Sequence, residues 1–316
     1  MRVPVYNLDL TLPPARRWEG LTAHADAARR LIDSYVRDLG GLERFQGVSS
    51  ELVAGYLRED LLAEVEGVAH AVGREVEQVL LANLYYDAMR ALLGCTAFAR
   101  DTHEGPIHAR NLDWWSEQRL LSELTLEVRA SGGPCGPFRT IAWPGYVGAL
   151  SGIAPGRFAI TLNAVLSEDP LELATPISFL LRTVLETASG FDEAVRVLTD
   201  TPIVADCLLL VSGTRSGEMV VVERTPTRCA VRGPTDGQLV VTNDYRVLDS
   251  AFVSDSELAR TACSRYDRAA ERVRAERPDT PEACFAILDD RAVRMDMTMQ
   301  QMVLHASTGL CAVRKT

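Results

Sequence analysis

Apolar positions in the first third of the chain recur with the period of a helix. Ala28, Leu31, Ile32, Tyr35, Val36 and Leu39 fall at i, i+3, i+4, i+7, i+8 and i+11, the stripe of an amphipathic helix with one face buried. Leu61, Leu62, Val65, Val68, Ala69 and Val72 repeat the pattern, and Gly73 supplies a stop. Residues 76–93 are apolar on more than one face. That segment predicts a central buried helix leading into Gly94 and Cys95.

From Cys95 the period changes to that of a strand. Leu124, Leu126, Val128 and Ala130 alternate with Glu123, Thr125, Glu127 and Arg129, a half-buried strand that ends at Ser131-Gly132-Gly133-Pro134. Short extended runs at 138–143 and 157–163, separated by glycine turns, predict an antiparallel meander. Residues 176–198 return to helix with a break at Ser189-Gly190, and sheet resumes at 207–212, 218–224, 228–232 and 238–242. Leu208-Leu209-Leu210-Val211 lacks polar alternation and predicts a strand buried on both faces. A helix over 256–276 follows, then one opened by Thr280 as cap and Pro281 at its first position. Residues 297–313 predict an extended segment closing a sheet edge. Helices, sheet, helices, sheet and helices without a linker or repeat imply stacked layers in one domain, 1–316.

The chemistry concentrates at the change of period. Gly94-Cys95-Thr96-Ala97-Phe98 and Ile107-His108-Ala109-Arg110-Asn111-Leu112-Asp113 flank a polar loop centred near His103 and Glu104, so they read as an antiparallel hairpin. Its register places Cys95 opposite residues 110–113, where a thiol meets a cation and a carboxylate. On a regular strand, Arg110 and Asp113 fall on opposite faces unless a bulge or turn intervenes.

Cys-Thr heading a strand, with Arg-Asn-Leu-Asp following it, resembles the N-terminal-nucleophile amide hydrolases of the acid ceramidase and N-acylethanolamine acid amidase family. Cholylglycine hydrolases and penicillin acylases are more distant likenesses. The resemblance continues through Gly145-Tyr146-Val147-Gly148-Ala149-Leu150-Ser151-Gly152, Thr201-Pro202-Ile203-Val204-Ala205-Asp206 and Val241-Thr242-Asn243, and so spans most of the chain. It implies an α+β fold, the four-layer αββα sandwich with two stacked antiparallel sheets. It also implies self-cleavage between Gly94 and Cys95 into a mainly helical segment 1–94 and a catalytic segment 95–316 that remain associated. The freed α-amine of Cys95 would then act as the base for its own thiol, its reference pKa near 7.7–8.0 leaving a useful neutral fraction at about pH 7.

By the same resemblance Asp113 holds that amine, Arg110 favours the thiolate, Asn243 supplies an oxyanion-hole amide and Arg260 is a second arginine of the site. Tyr146, Trp114, Trp115 and Asn163 are candidate substrate-binding residues. One position departs: Ala164 stands where acid ceramidase and its amidase relative carry glutamate. The expected reaction is hydrolysis of a linear amide in a small N-acyl substrate through an acyl-thioester. Two alternatives are an acyltransferase of the same fold, which Gly-Cys-Thr also resembles, and a non-catalytic acyl- or lipid-binding homologue.

Charge and composition narrow the partners. A formal charge of −10 over 316 residues argues against a nucleic-acid surface, which requires a dense basic face. Lys315 is the sole lysine, a bias that the base composition of a GC-rich genome explains. Seven scattered cysteines without a CxxC pair suggest neither a disulfide framework nor a zinc site, and no metal or cofactor is expected. A reducing, cytoplasmic location is expected. The first residues lack an apolar signal core, and no run approaches the length of a membrane span.

Overall fold

The computed structural model describes residues 3–41, 55–89, 93–249 and 257–316. Its helices and strands stack in four layers around two sheets. The eight-stranded sheet has the order β1 (Val5–Asp9), β4 (Leu126–Ser131), β5 (Phe138–Ala142), β6 (Ser151–Ala154), β7 (Phe158–Asn163), β8 (Cys207–Ser212), β9 (Met219–Arg224) and β10 (Cys229–Arg232). The five-stranded sheet runs β11 (Gln238–Val241), β2 (Leu93–Thr102), β3 (Gly105–Trp114), β12 (Thr298–His305) and β13 (Leu310–Lys315). Ala97, Ala99, Leu239 and Val241 from the second sheet meet Leu208, Leu210 and Val221 from the first in one buried cluster. The sheets therefore face each other through small and branched apolar side chains.

Helices cover the outer faces. α1 (Ala25–Asp38), α2 (Glu59–Val72), α3 (Val76–Asn83) and α4 (Tyr85–Met89) come from the N-terminal segment, and α5 (Leu120–Glu123) follows the hairpin. α6 (Ile177–Thr187) and α7 (Phe191–Asp200) pack on the eight-stranded sheet; α8 (Glu257–Glu276) lies over β2 and β11, and α9 (Pro281–Leu288) over β3 and β12. The αββα architecture expected from the sequence is the fold.

Local signals account for many boundaries. Gly73 ends α2 in the left-handed region at φ 63°, a conformation a side chain would strain. The Thr280 hydroxyl accepts the Ala283 amide at 3.3 Å and Pro281 begins α9. β8 is buried along its whole length, as its unbroken apolar run implies.

Three expectations are corrected. The helix expected over 76–93 divides at Leu84 into α3 and α4, Leu93 already belongs to β2, and 90–92 lie outside the described residues. The eight-stranded sheet is not wholly antiparallel, because β1 pairs parallel with β4, Tyr6 opposite Val128. Residues 5–9 thereby join, as a strand, the sheet formed by later parts of the chain. The final segment is a hairpin in which only β13 is an edge; β12 is internal, between β13 and β3. Residue 256, expected to begin the penultimate helix, also lies outside the described residues.

Candidate active site

The β2–β3 hairpin sets Cys95 opposite Leu112 and Gly94 opposite Asp113, inside the window that its loop predicts. Strand alternation then distributes the side chains. Cys95 is 1% exposed and turns toward the eight-stranded sheet, its Sγ 3.6 Å from the Leu162 carbonyl. Arg110, on the same face, donates from Nη2 to Cys95 Sγ at 3.0 Å and from Nη1 to the Leu150 carbonyl at 3.1 Å. It also donates to the Ser151 hydroxyl and the Leu162 carbonyl. A guanidinium held by the ends of β6 and β7 is a fixed positive charge beside the thiol.

Asp113 projects from the other face of β3, as a spacing of three on a strand requires. Its Oδ1 accepts the Thr298 hydroxyl at 2.6 Å, while Oδ2 is buried without a hydrogen-bond partner. The Thr298 contact depends on a bulge in β12: Thr298 pairs with Asp113 but Gln300 pairs with Leu112, leaving Met299 as the extra residue.

Asn243, two residues past the end of β11, and Arg265 on α8 complete the cluster. The Cys95 backbone N–H donates to Asn243 Oδ1 at 3.1 Å, and Asn243 Nδ2 donates to the Ala164 carbonyl at 2.7 Å. Arg265 donates to the Cys95 carbonyl at 2.9 Å, the Thr96 hydroxyl at 3.0 Å and Asn243 Oδ1 at 2.8 Å. Arg260, the arginine expected here, is exposed. Five residues of helix rotate a side chain by about 140°, and the buried stripe Ala262, Arg265, Ala269, Val273 excludes position 260. That stripe is the sequence signal that identifies Arg265, since an arginine on an otherwise apolar face has its charge turned toward the core.

The electrostatics follow from burial. Desolvation pushes the Cys95 thiol above its ordinary value; Arg110 opposes that rise and Asp113 adds to it. Burial likewise raises the Asp113 carboxyl against the pull of Arg265, Thr298, Arg110 and Arg294. Burial lowers Arg265. Asp113, which pairs with Gly94 in the hairpin, thus keeps a buried carboxyl with one oxygen uncommitted.

The candidate substrate residues separate. Asn163 Nδ2 donates to the Val241 and Thr242 carbonyls at 3.2 and 2.9 Å, tying β7 to the segment that carries Asn243. Trp114 and Tyr146 are buried on either side of Trp143, each in an edge-to-face contact, at 5.6 and 5.7 Å. Trp115, one residue past the inward Trp114, is 58% exposed and lies outside this aromatic group. A narrow cleft between α1, α3 and residues 143–146 is lined by Leu31, Ile32, Tyr35, Trp143 and Tyr146.

Asn83 on α3, which carries no motif, holds the adjoining glycine turn. Its Oδ1 accepts the Val147 and Gly148 amides at 2.7 and 3.2 Å, and its Nδ2 donates to the Gly145 carbonyl at 3.3 Å. Gly145 has φ 81°, and a Cβ on Gly148 would stand 2.8 Å from Ser178. Among the described residues no group of three or more His, Cys, Asp or Glu side chains is arranged to hold a metal.

The family described as acyl-coenzyme A:6-aminopenicillanic acid acyl-transferase matches residues 100–305, well over half of the chain. Acid ceramidase of Rattus norvegicus is 28% identical over 300 residues, covering 84% of this chain and 75% of the relative. Acid ceramidase of Balaenoptera acutorostrata scammoni is 27% identical over 253 residues, covering 70% of this chain and 63% of the relative. The match therefore spans less than two thirds of that relative's own length.

Among solved structures, the Caenorhabditis elegans N-acylethanolamine-hydrolyzing acid amidase (NAAA) ortholog superposes with a TM-score of 0.57 at 23% identity, over 68% of this chain and 93% of that one. The likeness is one of fold. With these matches, the chain belongs to the acyl-coenzyme A:6-aminopenicillanic acid acyl-transferase family, has the fold of the N-terminal-nucleophile hydrolases and is related to the acid ceramidases.

Proposed function

We propose that this chain is a self-processing cysteine amidohydrolase of N-acyl substrates. The observation that carries the reading is the setting of Cys95. Its thiol lies on the Arg110 guanidinium, its main-chain nitrogen lies on Asn243 Oδ1, and a buried carboxylate oxygen of Asp113 is uncommitted across the strand.

In processing, Cys95 Sγ attacks the Gly94 carbonyl carbon. The C–N bond breaks, the nitrogen takes the thiol proton, and water hydrolyses the thioester, leaving carboxylate on Gly94 and a free α-amine on Cys95. That amine keeps its position on Asn243, and when protonated it gives Asp113 Oδ2 a cationic neighbour. In turnover the amine takes the thiol proton, Sγ attacks the substrate carbonyl, and the Asn243 amide donates to the oxyanion. The leaving amine departs with the proton, and water releases the acid from the thioester.

Three contacts support continued association of segments 1–94 and 95–316. β1 is a strand of the eight-stranded sheet, Asn83 holds the 145–148 turn, and Glu64 meets Arg182 in a buried ion pair at 3.2 Å. The likeness to the acid ceramidases favours an apolar acyl chain. Seven free thiols favour a reducing compartment such as the cytoplasm, and among the described residues no helix is long and apolar enough to cross a membrane.

The test is the denatured mass of the protein beside its Cys95→Ala variant, followed by N-acyl amide turnover. Wild type split after residue 94, an intact variant, and released fatty acid are expected. Two intact chains without turnover would refute the reading. The name of the matching family favours a second reading, acyl transfer. A competing amine separates the two, since a transferase diverts the acyl group into a new amide.

A further inference from the structure

Glu223, on β9, has no part in the chemistry above and is wholly buried. It lies two residues along the strand from Val221, whose side chain belongs to the cluster between the sheets, and so shares its inward face. A carboxylate in such a place is costly unless hydrogen bonds replace its water. Here Arg232 Nε donates to Oε1 at 3.0 Å. Three successive backbone amides converge as well: Arg246 N–H on both oxygens at 3.1 Å, Val247 N–H on Oε2 at 2.9 Å and Leu248 N–H on Oε2 at 3.0 Å. Consecutive amides cradling one anion form a nest, and charge-assisted hydrogen bonds of this kind are about twice as strong as neutral ones.

The cradled segment begins three residues after Asn243. It is also joined to the helix that bears Arg265, because the Arg246 guanidinium lies 3.9 Å over the ring of Tyr266. One buried charge therefore anchors the main chain behind Asn243 and, through Arg246 and Tyr266, the turn of α8 that reaches the Cys95 carbonyl.

We propose that Glu223 is the positioning residue for the Asn243 amide: it holds residues 244–248 so that Asn243 meets the nitrogen of Cys95. The proposal rests on the amidohydrolase reading for its catalytic consequence and on the nest alone for its structural one. Glutamine cannot reproduce the nest, since its NH₂ would face backbone N–H groups and its charge is gone.

Glu223→Gln is expected to lower kcat about tenfold to a hundredfold, the scale of a small misplacement of a reacting group, with KM changed less than about twofold. In an Asn243→Ala background the same substitution should cost nothing further, because the group it positions is already absent. Hydrogen exchange in the 243–249 peptide should accelerate. An additive loss in the double variant, or a loss confined to KM, overturns the proposal.

A wild-type protein that neither processes nor hydrolyses N-acyl amides refutes the amidohydrolase reading instead. Hydrogen exchange then decides the anchoring: unchanged protection of 246–248 in Glu223→Gln overturns it, and faster exchange upholds it. Should Glu223→Gln fail to fold, Glu223→Asp, which keeps the charge but withdraws it by one methylene, carries the same measurements.

Discussion

The Cys95 thiol is subject to opposing influences of known direction. Burial and the Asp113 carboxyl raise its pKa, while Arg110 at 3.0 Å lowers it. Replacing Arg110 by glutamine removes a lowering influence and leaves the raising ones. The pH at which iodoacetamide labels half of the Cys95 population should therefore move upward in Arg110→Gln, read by mass on the labelled peptide; an unchanged or lower midpoint would rule out the assigned role. Cys95, Arg110 and Asp113 are legible in the sequence because a hairpin is local: loop centre and strand period suffice to set partners. The uncommitted oxygen of Asp113 is not legible. The carboxyl's hydrogen bond goes to Thr298, placed by the β12 bulge at Met299, and the arginine that most opposes the rise of its pKa, Arg265, comes from a helix far along the chain.

At the scale of elements, the face a helix turns inward decides which arginine reaches Cys95. α8 lies over β2 and β11, and its buried stripe brings Arg265 to the Cys95 carbonyl and Asn243 while Arg260 faces solvent. Arg265→Ala should lower kcat/KM by about a hundredfold or more, as expected when a buried charge-assisted contact is removed from a reacting group. Arg260→Ala should stay within about threefold of wild type. Parallel steady-state kinetics on an N-acyl amide check both, and equal losses would count against the assignment. A resemblance transfers roles between positions that align and here points to Arg260, whose side chain is exposed, whereas a step of five residues along the helix turns Arg265 inward to the Cys95 carbonyl and Asn243. The helical period corrects this only once the core-facing stripe is known.

For the whole molecule, contact between the sheets imposes a pH dependence. His108 on β3 is fully buried between the Ser212 hydroxyl of β8 at 3.0 Å and the Thr161 hydroxyl of β7 at 2.8 Å. Burial, with a smaller contribution from Arg110, lowers its pKa to about 3, against roughly 6.5 in an unfolded chain. Between those values the unfolded chain binds the extra proton. The stabilisation is therefore complete above about pH 6.5 and is lost as pH falls toward 3, at up to about 1.4 kcal/mol per pH unit. Denaturation midpoints from about pH 7.5 to 4.5 should fall more steeply for wild type than for His108→Gln, which retains donor and acceptor without titrating. Parallel curves would refute this.

What the sequence determines by itself is local in origin. Helical and alternating periods define most elements, Gly73 and Thr280-Pro281 set boundaries, and the β2–β3 hairpin brings a thiol, a guanidinium and a carboxyl near one another. These follow from interactions within one turn or one hairpin, whose geometry the order of residues specifies. The tertiary structure decides the rest: β1 entering the sheet in parallel, Arg265 in place of Arg260, Asn83 holding the glycine turn, and Glu223 gathering three amides behind Asn243. Each joins groups distant in sequence. Burial decides these contacts, since a polar or charged group taken from water must find its partner wherever packing places one.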